Sequence, residues 1–302
     1  MGSCVVVLPA ARPDLSALVR LSGGPPLTRF APSPTGYLHL GHVVNAIYVW
    51  GVARALGGRV VLRIEDHDRV RCRAPYEAAL LEDLDWLGFV PDVYRTAAFR
   101  AGPCDGRQSN RTEHYRAAAD RLRAADLLYG CACTRAEMIA GARSPAGEWI
   151  HPAICRERRL PLEAALGWRV RIEPGLEQFD DLRLGPQTQD PAAQGGDLLI
   201  RDRRGNWTYQ FAVTVDDWLQ SIDLVVRGTD LLESTGRQIR LARMLGRQTP
   251  PRFLHHSLIM KTATQKLSKS DGDTGVRDLR ARGWTREEVV EAALREARRL
   301  KA

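Results

Sequence analysis

Lysine is almost missing from this chain of 302 residues: the four that occur are Lys261, Lys266, Lys269 and Lys301, although Lys and Arg together number 44. Three of them fall within nine residues, so arginine has taken nearly every basic position outside one short segment. Aromatic residues are sparse at 7%, and cysteines number six. Collagen-like, low-complexity and disulfide-dense classes are thereby excluded. No apolar run approaches the roughly 20 residues that cross a bilayer, which argues against a membrane protein. The apolar start, Met1 to Leu8, lacks a basic stretch ahead of it, so no secretory signal is expected. Cysteines without an export signal predict reduced thiols in a cytoplasm.

What remains is ordinary globular material, 44% hydrophobic and 26% charged, with mean hydropathy −0.29. At about 150 residues per domain the length predicts two domains. A formal charge of +8 is compatible with a polyanionic partner without requiring one.

Residues 1–27, punctuated by Pro9, Pro13, Pro25 and Pro26, read as a loosely ordered extension. Leu27 to Ala31 reads as a strand stopped by Pro32-Ser33-Pro34-Thr35-Gly36. Apolar residues spaced at Val44, Ile47, Tyr48, Gly51 and Ala55 predict a helix from about Gly41 to Gly57-Gly58. The β-branched run Val60 to Ile64 predicts a buried parallel strand, and Leu80, Leu81, Leu84 and Leu87 a further helix closed by Gly88. Strand, helix, strand, helix opens a doubly wound α/β domain. Another helix is predicted over Thr112 to Leu128.

Residues 129–205 break this rhythm and read as an insertion, with strands at Trp168 to Ile172 and Leu198 to Arg201. The core, 28–128, is expected to resume over 206–254. There Trp207 to Asp217 is helix or strand, Ile222 to Arg227 a strand and Thr235 to Leu245 a helix. Residues 255–302 form a loop and a small helical region, with a capping box at Thr285 and Glu288.

Two segments carry the chemistry. In PSPTGYLHLGH, Pro32 to His42, a strand runs through a constrained turn into a helix start. Unpaired N–H groups at that start attract anions. His39 and His42 add imidazole donors, and Gly41 admits a ligand to the backbone. In KLSKS, Lys266 and Lys269 can clamp a phosphate chain whose charge grows in the transition state. Separately, Cys131-x-Cys133 and His151-x3-Cys155 supply four ligands from two short turns, a set that suits tetrahedral zinc.

HLGH and KLSKS together resemble the two signatures of class I aminoacyl-tRNA synthetases. RFAPSPTGYLHLGH resembles the glutamyl branch, as do IEDHDRVR (64–71), QSNRTEHY (108–115), YQFAVTVDD (209–217), VVRGTDLLESTGRQ (225–238) and HHSLIM (255–260). The resemblance covers about residues 29–302. It implies a Rossmann-type catalytic core with a zinc-binding insertion facing the RNA. ATP, with Mg, would lie over His39, Gly41 and His42 and be closed in by Lys266 and Lys269. It assigns glutamate to Arg29, Phe30, Ala31, Pro32, Ser33, Glu65, Tyr209 and Arg227. The chemistry agrees: a dicarboxylate suits the planar forks of Arg29 and Arg227, Glu65 can receive the ammonium, and Tyr209 can donate to a carboxylate oxygen. At the metal site the family has tyrosine where His151 stands, and imidazole is the better zinc ligand. Cys4, Cys72 and Cys104 show no partner pattern.

Only 32 residues follow Ser270, so no anticodon-binding domain is expected. That brevity resembles the glutamyl-queuosine tRNA(Asp) synthetase family, which attaches glutamate to queuosine in the anticodon loop of tRNA(Asp). Two rivals are a shortened glutamyl-tRNA synthetase that charges the 3′ end and a non-catalytic RNA-binding paralogue.

Overall fold

A computed structural model of the protein describes residues 24–258 and 275–299, apart from 140, 145, 146 and 159. Most of the expected N-terminal extension, and the KLSKS segment with Lys266 and Lys269, lie outside the described residues. The elements run β1 (Leu27–Phe30), α1 (Leu40–Ala55), β2 (Arg59–Leu62), α2 (Ala74–Leu87), α3 (Thr96–Ala101), α4 (Thr112–Ala124) and β3 (Leu128–Cys131). Next come α5 (Arg135–Ile139), α6 (Ile154–Arg158), β4 (Gly167–Val170), β5 (Glu177–Asp181), β6 (Gly185–Gln189), α7 (Pro191–Gly195) and β7 (Leu198–Arg201). The chain closes with α8 (Tyr209–Leu219), β8 (Leu224–Gly228), α9 (Thr235–Met244), β9 (Arg252–His256), α10 (Val276–Ala281) and α11 (Arg286–Arg299).

The described residues form two compact units, one from those within 1–110, 222–230 and 253–302, the other from those within 111–221 and 231–252. They do not follow the composition boundaries, because α4 and α8 pack with the 129–205 segment.

In the first unit β1 and β2 pair in parallel, Leu27 opposite Arg59 through Phe30 opposite Leu62, with α1 as the crossover. This is the βαβ start that the sequence predicts. Phe30, Val60, Leu62, Ile47 and Leu84 are buried in its core. Strand β8 runs beside β1, where the Asp223 amide donates to the Leu27 carbonyl at 3.1 Å. Gly88 ends α2 in the left-handed region (φ 79°), a conformation that favours glycine. Helix α11 packs on α1, burying Val289 and Ala293, and its capping box is present: Thr285 N donates to Glu288 at 2.7 Å and Glu288 N to Thr285 at 3.2 Å.

The second unit holds an antiparallel sheet in the order β3-β4-β7 and a β5–β6 hairpin that the sequence reading lacks. Its core gathers Tyr115, Leu122, Val170, Ile200, Phe211 and Leu241. The helix expected to reach Leu128 stops at Ala124, since Asp126 turns left-handed (φ 54°) and Leu128 begins a strand. The segment left open at Trp207 to Asp217 is helical from Tyr209. Asp216 accepts from Arg111 Nε at 2.7 Å and from the Tyr115 hydroxyl at 2.9 Å, all buried. Two of the motifs named above thus meet in one buried ion pair, whose halves are costly to remove singly.

Asp83 on α2 is buried, and its Oδ2 has no hydrogen-bond partner among the described residues. Burial pushes its carboxyl up to about 7; Arg280 and Arg277 pull it down, while Glu82 and Asp278 raise it. A carboxyl whose folded pKa exceeds its unfolded value stabilises fully below the unfolded value, and that contribution is lost as pH rises towards about 7. Asp83→Asn is therefore expected to raise the melting temperature more at pH 8 than at pH 5. Equal shifts at both pH values would dissociate Asp83 from the pH dependence.

Candidate functional site

The turn into α1 is built by its own histidines. His39 is the N-cap and its Nδ1 accepts from the Gly41 amide at 3.1 Å, while His42 Nδ1 accepts from the His39 amide at 3.1 Å. A ring nitrogen that accepts a backbone N–H carries no proton, so each neutral imidazole has its proton on Nε2. The caps thus fix the tautomer that makes both rings donors. The rings lie 4.0 Å apart between centroids. A Cβ on Gly41 would stand 2.8 Å from His39 Cε1, so the cap itself requires glycine there, in addition to any ligand approach.

Gly275 forms an isolated antiparallel bridge with His39, and the Val276 amide donates to Leu38 O at 2.8 Å. On the other flank of the lysine segment, His256 Nε2 is 3.1 Å from Asn45 Oδ1, and its ring stacks on Tyr48 at 4.7 Å. Both described flanks of the KLSKS segment are thereby anchored at α1.

Among the expected glutamate positions, Arg29 and Arg227 are buried on the neighbouring strands β1 and β8, and Arg29 Nη1 donates to Val226 O at 3.2 Å. The Glu65 amide donates to Pro32 O at 3.0 Å, so Glu65 sits where β2 runs on beside the turn after β1. Ser33 Oγ lies 3.7 Å from Cys72 Sγ, which also approaches Glu65 O at 3.8 Å. Ala31 is half-buried in the same turn. Phe30 differs: its ring packs on Trp50 at 5.3 Å and its carbonyl accepts from the Arg63 amide, so its side chain serves the core. Tyr209 belongs to the second unit, as the first residue of α8.

Three residues join this set without having been assigned to it. His255, fully buried, accepts from Arg227 Nε at 2.9 Å, while the Arg227 guanidinium lies over Phe253 at 5.5 Å. His255 therefore fixes the direction of the Arg227 fork. Arg63, also fully buried, places Nε 3.8 Å from Glu65 Oε1. Its sequence signal is a lone cation interrupting the apolar run VVLRI. Cys72, without a partner pattern in the sequence, packs on the Ser33–Glu65 turn, and burial raises its thiol pKa.

In the second unit the Sγ atoms of Cys131, Cys133 and Cys155 lie within 4.8 Å of one another. Cys133 and Cys155 are 3.5 Å apart, and His151 Nε2 is 3.4 Å from Cys131 Sγ. A tetrahedral ion with bonds of about 2.0–2.3 Å needs ligand atoms about 3.3–3.8 Å apart, so the three thiols are spaced to hold a thiophilic metal, with the His151 ring beside Cys131. Burial pushes the His151 imidazole down to about 4, with Arg169 adding to the effect, so the ring is neutral; its Nδ1 accepts from the Ala153 amide at 3.2 Å, and binding an ion through Nε2 displaces the proton held there. Burial and the neighbouring thiols push Cys133 up to about 12. Cys155 goes the other way: burial raises it, but the Ala132 amide and its thiol neighbours outweigh that. A bound cation removes the thiols' mutual hindrance to ionising. Ala153, between His151 and Cys155, has φ 57°. At Gly196 (φ 64°) a Cβ would stand 2.7 Å from His151 O. Both observations show how tightly this turn is folded. Behind it, Asp197 accepts from the Tyr129 hydroxyl at 2.5 Å and from Arg156 Nε at 2.6 Å.

The family model for the catalytic domain of class I tRNA synthetases (E and Q) matches residues 27–299. The chain belongs to that class I synthetase family. Among class I (E and Q) relatives, a Glutamyl-Q tRNA(Asp) synthetase of Bordetella bronchiseptica is 44% identical over 255 residues, spanning 81% of this chain and 75% of the relative. A Glutamate--tRNA ligase 2 of Cereibacter sphaeroides is 37% identical over 85% of this chain and 57% of its own. The crystal structure of a glutamate tRNA ligase from Elizabethkingia meningosepticum, in complex with its amino acid, superposes with a TM-score of 0.67 at 29% identity. That match covers 82% of this chain and 53% of the ligase, so the chain spans about half the length of that structure. The α/β class I fold expected from the motifs is the fold observed. Class I synthetases use ATP and Mg. No described helix is long and apolar enough to cross a membrane.

Proposed function

We infer that the chain activates L-glutamate with ATP to glutamyl-adenylate and transfers the glutamyl group to the queuosine base in the anticodon loop of tRNA(Asp). The observation that carries this reading is the 44% identity to a Glutamyl-Q tRNA(Asp) synthetase of which the chain covers 75%. The site chemistry supports it. Arg29 and Arg227 offer buried guanidinium groups to the substrate's carboxylates, Glu65 receives its ammonium, and Tyr209 donates to a carboxylate oxygen. The turn Ala31 to Ser33, with the backbone of Phe30, completes the glutamate-binding set in this reading. The α-carboxylate oxygen attacks the α-phosphorus of ATP, and pyrophosphate leaves with the bonding electron pair. His39 and His42, through Nε2–H, and the α1 N-terminus beside Gly41 bind the phosphates. Lys266 and Lys269 neutralise charge that builds on the departing pyrophosphate. The acceptor atom of the base then attacks the glutamyl carbonyl, and AMP leaves.

Cys131, Cys133, His151 and Cys155 hold a structural zinc in this reading, which ties the 129–205 insertion together on the RNA-facing side. With all four positions filled by protein, the ion supplies folding energy rather than chemistry. Cys133→Ser is expected to lower both zinc content and thermal stability. Stoichiometric zinc by elemental analysis of that variant would refute the ligand set. The enzyme works in the cytoplasm, where its thiols stay reduced.

A shortened glutamyl-tRNA synthetase is the second reading, favoured by the 37% identity to a Glutamate--tRNA ligase 2. Labelled glutamate separates the two. Transfer to tRNA(Asp) that carries queuosine, and none to tRNA(Asp) that lacks it, is expected. Label on tRNA(Glu) instead would establish the second reading.

A further inference from the structure

The second unit carries a cleft of about 380 Å3 that the reaction described above does not use. Its walls are Trp168 on β4, Trp207 just before α8, and Arg116 and Asp120 on α4, with Leu162 and Ala164 beside them. The volume lies within the roughly 300–1,000 Å3 of small-ligand sites. Trp168 and Arg201 are cross-strand partners on β4 and β7, and the Arg201 guanidinium lies over the Trp168 ring at 4.7 Å. Trp207 meets Trp168 edge-on at 6.2 Å. Both indoles rest on the core of the unit, yet each stays half-exposed.

We propose that this cleft stacks an unpaired nucleobase of the RNA substrate, with Arg116 at its rim on the adjoining phosphate. This inference rests on the reading of the chain as an RNA-modifying synthetase. Aromatic faces backed by a guanidinium are the usual platform for single-stranded bases, because every base offers a π-face. The charge sign agrees: two arginines face one aspartate in the cleft, and after β7 the exposed Arg203 and Arg204 outnumber Asp202. The ion pair of Arg116 with Glu113 is largely solvent-exposed and does not hold the arginine in place. Ring and floor together select a flat, uncharged group with a phosphate attached, which is a nucleotide in a loop or at an end.

The experiment measures binding of a labelled, unstructured RNA dodecamer and of tRNA(Asp) to the full chain by fluorescence anisotropy. Trp168→Leu is expected to weaken both by at least about fivefold, the loss of one stacked base. Trp168→Phe, which keeps a π-face, restores most of the affinity, whereas a purely structural role for the indole would make both variants alike. Arg116→Glu is expected to reduce the salt dependence of log Kd by about one and to leave the fold intact. Glutamate-dependent pyrophosphate exchange stays at the wild-type level in all three. Wild-type RNA affinity in folded Trp168→Leu and Arg116→Glu proteins, with exchange preserved, would overturn the cleft and leave the synthetase reading standing. Absence of exchange from the wild-type protein would instead overturn that reading.

Discussion

Arg227→Ala is expected to raise the KM for glutamate in pyrophosphate exchange by at least about thirtyfold, the cost of deleting one half of a buried charge pair. Most of the loss falls on KM, since the guanidinium grips the substrate in ground and transition states alike. The buried position of Arg227 makes the effect large, because no water replaces the lost partner. His255 provides an internal control. His255→Phe keeps a ring in the same space but removes the acceptor that orients Arg227 Nε at 2.9 Å. About a tenfold rise in KM is expected, in line with one hydrogen bond to a charged group. Unaltered glutamate affinity by calorimetric titration in Arg227→Ala would remove that residue from the pocket. An unaltered KM in His255→Phe would confine His255 to packing.

Lys269→Ala should act on the other kinetic constant. Its charge is needed where negative charge builds on the departing pyrophosphate, so kcat for adenylate formation is expected to drop by at least about tenfold. Glutamate affinity stays near wild type. Although Lys269 itself lies outside the described residues, the chain on either side is anchored at α1: Gly275 bridges to His39, and His256 lies against Asn45 and Tyr48. Stopped-flow or exchange rates at saturating glutamate read the effect directly. Wild-type turnover in the variant would exclude Lys269 from the chemistry.

Elements whose local and tertiary preferences coincide were legible from residues alone. The βαβ start is one, where the run Val60 to Ile64 reads as a strand and the segment before it as a helix, although α1 buries Val43, Val49 and Trp50 as well as Val44, Ile47 and Gly51 and so is covered on more than the one face its spacing marks. The strand at Leu198 to Arg201 and the capping box of α11 are others. The β5–β6 hairpin escaped because its strands, EQFDD and GPQTQ, are polar and bury Glu177, Asp181 and Gln189 where an apolar alternation would have marked a strand. The end of α4 escaped because a left-handed residue at Asp126, not a proline or glycine, stops it.

At the site, the motifs named the groups but not how they are held. HLGH showed two imidazoles at a helix start, and the structure shows them capping each other's backbone. HHSLIM showed a histidine pair, and the contact of His255 with Arg227 spans 28 residues of sequence that no local pattern encodes. Arg63 carried a visible signal, a charge within an apolar strand. Cys72 carried none, because its contacts with Ser33 and Glu65 exist only once the two turns meet.

The most direct test of the account is glutamate-dependent ATP–pyrophosphate exchange by the purified chain, run with and without tRNA. Exchange with glutamate is expected in the absence of any RNA, little changed by adding tRNA. Exchange that appears only when tRNA(Glu) is present would contradict it.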